Sequence, residues 1–485
     1  MTTHACLTTD GAATSLSAEE LDGLRQRLGG TLVLPEAPGY EDARAIWNAM
    51  IQKRPALIAR CSGAADVIDL VHFARDRKLD FSVRGGGHNI AGTALCEGGL
   101  VIDLSPMNAV RAQPATARAW VQGGASWGKV DRETQAFGQA VPSGVVTTTG
   151  VAGLTLGGGF GWLTRRYGLT CDSLLAAEVV TADGRLLEVN ADTDPDLLWA
   201  LRGGGGNFGI VTGFTFQTHP VGPIVLGGMV VHDFTQARAL LALFRDFTAR
   251  APAEVGSLLI LRRAPSAPFL PAAIHGQLIA AIALCNVGPL DAAERALAPV
   301  RQWGRPLADT VAPKPFRQHQ AMLDAVQPPG RHYYWKSEFL KAITDAVIDT
   351  MLAQSERLTS PYSSVLLMHL GGDGRRQGTV EPDPALWLRH ADYVLNINAS
   401  WLDPAESETH VTWSREFWRA MRPHANGTVY QNFLTADEFE TRLAEAYEAG
   451  VLHRLAQVKR RLDPEGRFSS NMFRRLFAPA GLDAA

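Results

Sequence analysis

VRGGGHNIAG, residues 83–92, follows a strand-like run of β-branched and aromatic residues and breaks into three glycines and a histidine. Ordering each glycine costs roughly 0.5–1 kcal/mol relative to alanine, and a plain turn needs only one or two. The surplus points to a backbone that curls tightly and sits close to something. Upstream, residues 55–61 (PALIARC) read as a strand and 63–78 carry apolar residues at helical spacing. With FSVR (81–84) as the second strand this is a βαβ pattern, with the right-handed crossover such units adopt.

Two more glycine clusters lie downstream: GVAGLTLGGGFGW (150–162) and GGGGNFG (203–209). The last contains GxGxxG at Gly204, Gly206 and Gly209. It follows a helix and precedes a strand, the reverse of the dinucleotide fingerprint's context. Three clusters so close together are more than loops require, and each could offer successive backbone N–H groups to phosphate.

Around them, 17–28 begins with a capping-box SAEE and reads as a helix, as does 39–52. Residues 99–105 and 117–124 read as strands, and 174–190 as a hairpin turning at Asp183-Gly184. Residues 194–203 form a short helix with Asp194 as cap, Pro195 in the first turn and Gly203 as terminator. Residues 209–221 are a further strand. Beyond Pro220, segments 225–234, 256–265, 276–287, 331–340, 363–372 and 393–401 read as strands of an antiparallel sheet, with helices at 234–249 and 290–302. The tail carries a helix and a 463–466 turn.

Composition narrows the classes. The chain has 485 residues, 46% hydrophobic and 20% charged, with net charge −3. This length implies two or more domains. The charge balance argues against nucleic acid and anionic membrane as partners. No secretory signal and no membrane-length apolar run is visible. The five cysteines lack CxxC spacing, which argues against a disulfide framework or a metal site and fits a reducing cytoplasm. Nothing in the pattern fixes an oligomeric state.

RGGGHN (84–89), GGASWGKV (123–130), GGGFGWLTRRYGLTCD (157–172), DPDLLWALRGGGGNFGIVT (194–212), YQNF (430–433) and LDPEGRFSSN (462–471) together resemble the berberine-bridge-enzyme-like FAD-linked oxidases of the vanillyl-alcohol-oxidase superfamily, which share a PCMH-type FAD-binding domain. The resemblance runs from about residue 55 to 471, weakest in the middle. It implies an α+β fold: a two-part FAD-binding domain, 1–220 plus 426–485, with an inserted antiparallel-sheet substrate domain flanked by helices, 221–425. It implies covalent FAD through His88, in a loop that wraps the pyrophosphate. Against the cofactor it places Arg84, Gly85, Gly86, Gly87, His88, Asn89, Gly92, Thr148, Thr149, Gly150, Gly153, Leu154, Gly157, Gly158, Gly161, Gly209, Ile210, Val211, Tyr430 and Asn432.

Some relatives carry a second, cysteinyl link; counting back from the glycine run puts Val146 at that position, so only one link is expected. Leu154 departs from the histidine or tyrosine common there, and Thr149 holds a position that influences oxygen access. The implied reaction moves a hydride from a small-molecule C–H to the flavin, with O₂ as acceptor. A dehydrogenase using another acceptor, or a flavoprotein without turnover, remains the alternative.

A base must take the substrate proton. Alternation along 393–401 puts Val394, Asn396 and Asn398 on one face. Asn396, where some relatives hold a carboxylate or glutamine, cannot be a base but can orient substrate. Tyr430, whose counterpart takes the proton in some relatives, is the candidate. Its ordinary pKa near ~10 requires surroundings that lower it. Of Tyr333 and Tyr334, alternation allows one to reach the flavin roof. His369 reads as a sheet histidine.

Overall fold

The computed structural model describes residues 3–371 and 386–468. The chain's first half builds two sheets. The smaller runs Thr31–Val33, Leu57–Arg60, Leu100–Asp103, Phe81–Arg84, and its last three strands are parallel. Helix Ala64–Asp76 makes the crossover between Leu57–Arg60 and Phe81–Arg84, and its buried stripe (Val67, Leu70, Val71, Ala74) covers this sheet. The second sheet is antiparallel, in the order Leu186–Asn190, Leu174–Val180, Ile210–Gln217, Arg118–Gln122, Val110–Gln113.

Local chemistry explains several of these elements. Helix Ala18–Arg27 starts at a complete capping box, Ser17 with Glu20. Helix Pro195–Leu201 starts where Asp194 accepts from the Leu197 N–H. Gly184 turns the hairpin at φ +84°, a conformation that side chains with a Cβ resist.

The helix expected over 39–52 is one turn long, Tyr40–Arg44. The segment leaves the helix because tertiary contacts outbid propensity. Trp47 stacks on Tyr333 at 3.7 Å, and Asn48 exchanges hydrogen bonds with the Tyr333 backbone. The strand expected over 209–221 stops at Gln217, and His219–Pro220 pairs separately with Gln139–Ala140.

The large sheet is antiparallel throughout and formed by residues 224–401. Its path is Ala308–Asp309, Ile224–Asp233, Leu278–Asn286, Val255–Arg263, Ser364–His369, Tyr393–Trp401, His332–Leu340, with Ala312–Pro315 also on Ile224–Asp233. All six long strands expected from alternation are present; Gly372 lies outside the described residues. One face packs under helices Ala237–Thr248, Leu290–Arg301, Asp345–Ser355 and Ser407–Met421. The other face looks toward the glycine loops. The tail helix Ala449–Leu462 returns to the first half, where Lys459 donates to the Asn207 carbonyl and to Asp463. Ser469, Ser470 and Asn471 of the C-terminal motif lie outside the described residues.

Candidate active site

A cavity lies between the three glycine clusters and the free face of the large sheet. Its wall includes Gly85, Gly86, Gly87, His88 and Asn89 from the first cluster. Thr149, Gly150, Gly153, Leu154 and Gly157 come from the second, and Gly206, Gly209, Ile210 and Val211 from the third and the strand it opens. Two clusters cross in backbone contact: a Cβ on Gly86 would lie 2.4 Å from Gly150 Cα. Glycine is required there for close approach, as the run of three implied. At Gly153 an added Cβ would meet no atom within 4 Å, and at Gly206 only Leu156 at 3.7 Å. At these two positions glycine keeps the cavity clear, as a cradle for a flat, bulky group must be.

His88 sits on this wall, half-buried. Burial lowers its pKa to about 4, so the imidazole is neutral at pH 7 and keeps a lone pair. Nε2 lies 3.0 Å from the Thr148 hydroxyl, and the ring stacks on Trp47 at 5.1 Å. Thr148 lines a second opening that shares Gly85–His88 with the main cavity.

Several of the expected cofactor residues also have structural roles in the loops. The Arg84 guanidinium is engaged by the Asp103 carboxylate and the Ala43 carbonyl, on the side of the second opening. Gly92, Gly158 and Gly161 do not line the main cavity. Gly92 (φ +71°) backs onto Ile51, Gly158 takes φ +107°, and Gly161 passes close against the Ser143 carbonyl. These glycines satisfy turns and close packing, which motif matching cannot separate from ligand contact.

The YQNF segment reaches the second cluster. Asn432 donates to the Gly153 carbonyl at 3.1 Å and to the Tyr430 hydroxyl at 2.9 Å, while Gln431 donates to the Gly203 carbonyl. Tyr430 lines the cavity, edge-on to Phe160 and Phe433. Burial pushes its phenol well above the ordinary value, and donation from Asn432 and the Gly159 backbone does not offset that. The lowering that a base at neutral pH requires is absent.

On the sheet, Val394, Asn396 and Asn398 face the cavity together, as alternation required, and the Oδ1 atoms of both asparagines are buried without a partner. Trp335 also lines the cavity. Tyr333 shares its face and stacks on Trp47; Tyr334 and Lys336 face the other way, toward Asp437. His369 stacks on Tyr393 and is not part of the cavity wall. Val146 stands on the cavity wall. All five cysteines are buried, and none is joined in a disulfide. Sequence reading missed Trp47, which the helix assignment hid. It also missed Arg262, although alternation in SLLILRR places it on the face of Leu258 and Ile260. Among the described residues there is no metal-binding cluster and no helix long and apolar enough to cross a membrane.

Residues 55–190 match a family model described as an FAD binding domain. The (R)-6-hydroxynicotine oxidase of Paenarthrobacter nicotinovorans is 31% identical over 455 residues, covering 91% of this chain and 96% of that protein. An FAD-linked oxidoreductase of Dictyostelium discoideum is 30% identical over 428 residues, covering 88% and 90%. Among solved structures, 6-hydroxy-D-nicotine oxidase from Arthrobacter nicotinovorans superposes with a TM-score of 0.81 at 29% identity, over 92% of this chain and 97% of that one. A berberine-bridge-enzyme-like protein of Physcomitrella patens gives 0.80 at 23% identity, with the same coverage. The chain is an enzyme of the berberine-bridge-enzyme-like FAD-linked oxidoreductases.

Proposed function

We propose that this enzyme is an oxidase of a small-molecule alcohol or amine, with FAD held between the glycine loops and tethered through His88 alone. In this reading 1–220 and 426–485 bind the cofactor, and 221–425 supply the sheet that covers the substrate. Bound FAD supplies the hydride acceptor for a substrate C–H bond, with O₂ as the terminal acceptor. The observation that carries the reading is His88, a neutral imidazole on the wall of a cavity cleared by Gly153 and Gly206. When Nε2–H donates to Thr148, the Nδ1 lone pair is left for the tether. The 31%-identical relative, named as an oxidase, supports O₂ over another acceptor. Buried cysteines without disulfides fit a cytoplasmic enzyme.

Tyr430 keeps its proton at neutral pH, so its proposed role is to hydrogen-bond the substrate, with Asn396 orienting from the sheet. His88, Arg262 and Tyr430 are the ionisable side chains among the described cavity residues. None of them, once His88 is tethered, is placed to be a base at pH 7. An amine substrate in its neutral form needs none, because its nitrogen lone pair drives hydride departure from the adjoining carbon.

Acid precipitation tests the tether. Yellow flavin should stay with the wild-type pellet and enter the supernatant from His88→Ala. Release of all flavin from wild type overturns the tether, and a flavin peptide mapping to cysteine overturns the single link. A panel of amines and alcohols should give hydrogen peroxide in air. Substrates that bleach the flavin anaerobically yet yield no peroxide would mark a dehydrogenase.

A further inference from the structure

The cavity-facing side of the large sheet is graded in polarity. Cross-strand register sets its rungs. The outermost runs Arg262, Ser364, Asn398, Trp335; the next Ile260, Leu366, Asn396, Ser337; the third Leu258, Met368, Val394, Phe339. The third rung joins the apolar cluster that holds Phe160 and Tyr430. The first rung ends in a cation. Arg262 is half-buried, its Nε donates to the Arg263 carbonyl, and among the described residues no carboxylate pairs with its guanidinium. Burial and then the Arg331 guanidinium push it down to about 10. Arg331 itself stacks on Tyr362 at 4.2 Å and donates to the Val326 carbonyl.

A charge withdrawn from water and left beside a like charge is costly, and is relieved by an anion. The planar guanidinium fork matches a carboxylate through two parallel hydrogen bonds. Ser364 and Asn398, both buried on the same rung, supply further polar contacts. The Oδ1 atoms of Asn396 and Asn398 have no partner and call for O–H or N–H donors on the ligand.

We infer that the substrate carries a carboxylate bound by Arg262 and, at its other end, a hydroxyl or amine group presented to Asn396 and Tyr430. The inference rests on the reading of this cavity as the substrate site beside FAD. Arg262 and Asn396 are two strands apart, about 10 Å across the sheet. A compact molecule with its acid and its oxidised group at opposite ends spans that gap once the arginine side chain reaches inward.

The probes are 4-hydroxybenzoate and its neutral isostere 4-hydroxybenzamide, titrated into the holoenzyme and followed by perturbation of the flavin spectrum. The acid should bind at least tenfold more tightly than the amide. Arg262→Gln should abolish that preference, and Arg262→Lys should restore part of it, both variants keeping wild-type flavin content. Equal binding of acid and amide, failure of both to bind, or an acid preference that survives in Arg262→Gln would overturn the inference. Flavin content and acid-stable attachment, read on the same samples, report separately on the oxidase reading.

Discussion

Burial favours the neutral form of both His88 and Tyr430, with opposite consequences. It leaves the imidazole with a lone pair and disarms the phenol. Tyr430→Phe is therefore expected to keep FAD bound and slow anaerobic, substrate-driven flavin reduction by about tenfold. That is the scale of one lost hydrogen bond of roughly 1.4 kcal/mol. A loss of 10²-fold or more in stopped-flow would instead assign Tyr430 the proton transfer. Asp131 shows the same physics away from the cavity. Both its carboxylate oxygens are buried without partners, and burial raises its pKa to about 8. An unfolded aspartate ionises near ~4, so between these values the folded state holds a proton that the unfolded chain releases. Stability from this group is full below about pH 4 and is lost as pH rises toward 8. Asp131→Asn should raise the thermal midpoint by several degrees at pH 8 and leave it nearly unchanged at pH 4. Equal shifts at both pH values would rule out ionisation as the cause. His88 was legible from its glycine context. The pKa of Tyr430 was not, because its burial depends on Phe160 and the sheet, which lie far from it along the chain.

The loops behave as a pair. Gly150 has ordinary backbone angles (φ −70°), so its requirement for glycine is steric: a Cβ would lie 2.5 Å from Gly86 N. Gly150→Ala should fold but bind FAD poorly, cutting the flavin-to-protein absorbance ratio at least fivefold. Gly450→Ala, where an added Cβ meets nothing within 4 Å, is the control and should leave the ratio unchanged. A fully flavinylated Gly150→Ala would show that the loops can separate without cost. Helices 18–27, 64–76 and 195–201 and the six long strands could be read locally because caps, alternation and turn residues all agree there. The segment 45–52 could not. Its helical composition is overridden by Trp47 on Tyr333 and His88, contacts across the molecule that leave no periodic trace.

Arg165 clamps the helix Thr164–Tyr167 to the large sheet and its flanking segment. It is buried, and its guanidinium donates to the carbonyls of Ala251, Pro252, Val255 and Gly371. Arg165→Leu strands these acceptors in the interior and should destabilise the protein by about 3 kcal/mol or more. Denaturant unfolding measures this; a loss below about 1 kcal/mol would mean water replaces the guanidinium. Three features of the whole were written in the order of residues: glycine clusters able to crowd around one ligand, a histidine among them, and alternating strands able to roof it. These are local properties, set by backbone freedom at glycine and by the two-residue period of a strand. The composition of the cavity wall was settled only when strands from residues 255, 332, 364 and 393 came into register. Register aligned Arg262, Ser364, Asn398 and Trp335 on one rung, and burial then fixed which of the assembled groups carry charge. Neither pairing partner nor desolvation is a property of a residue's neighbours along the chain.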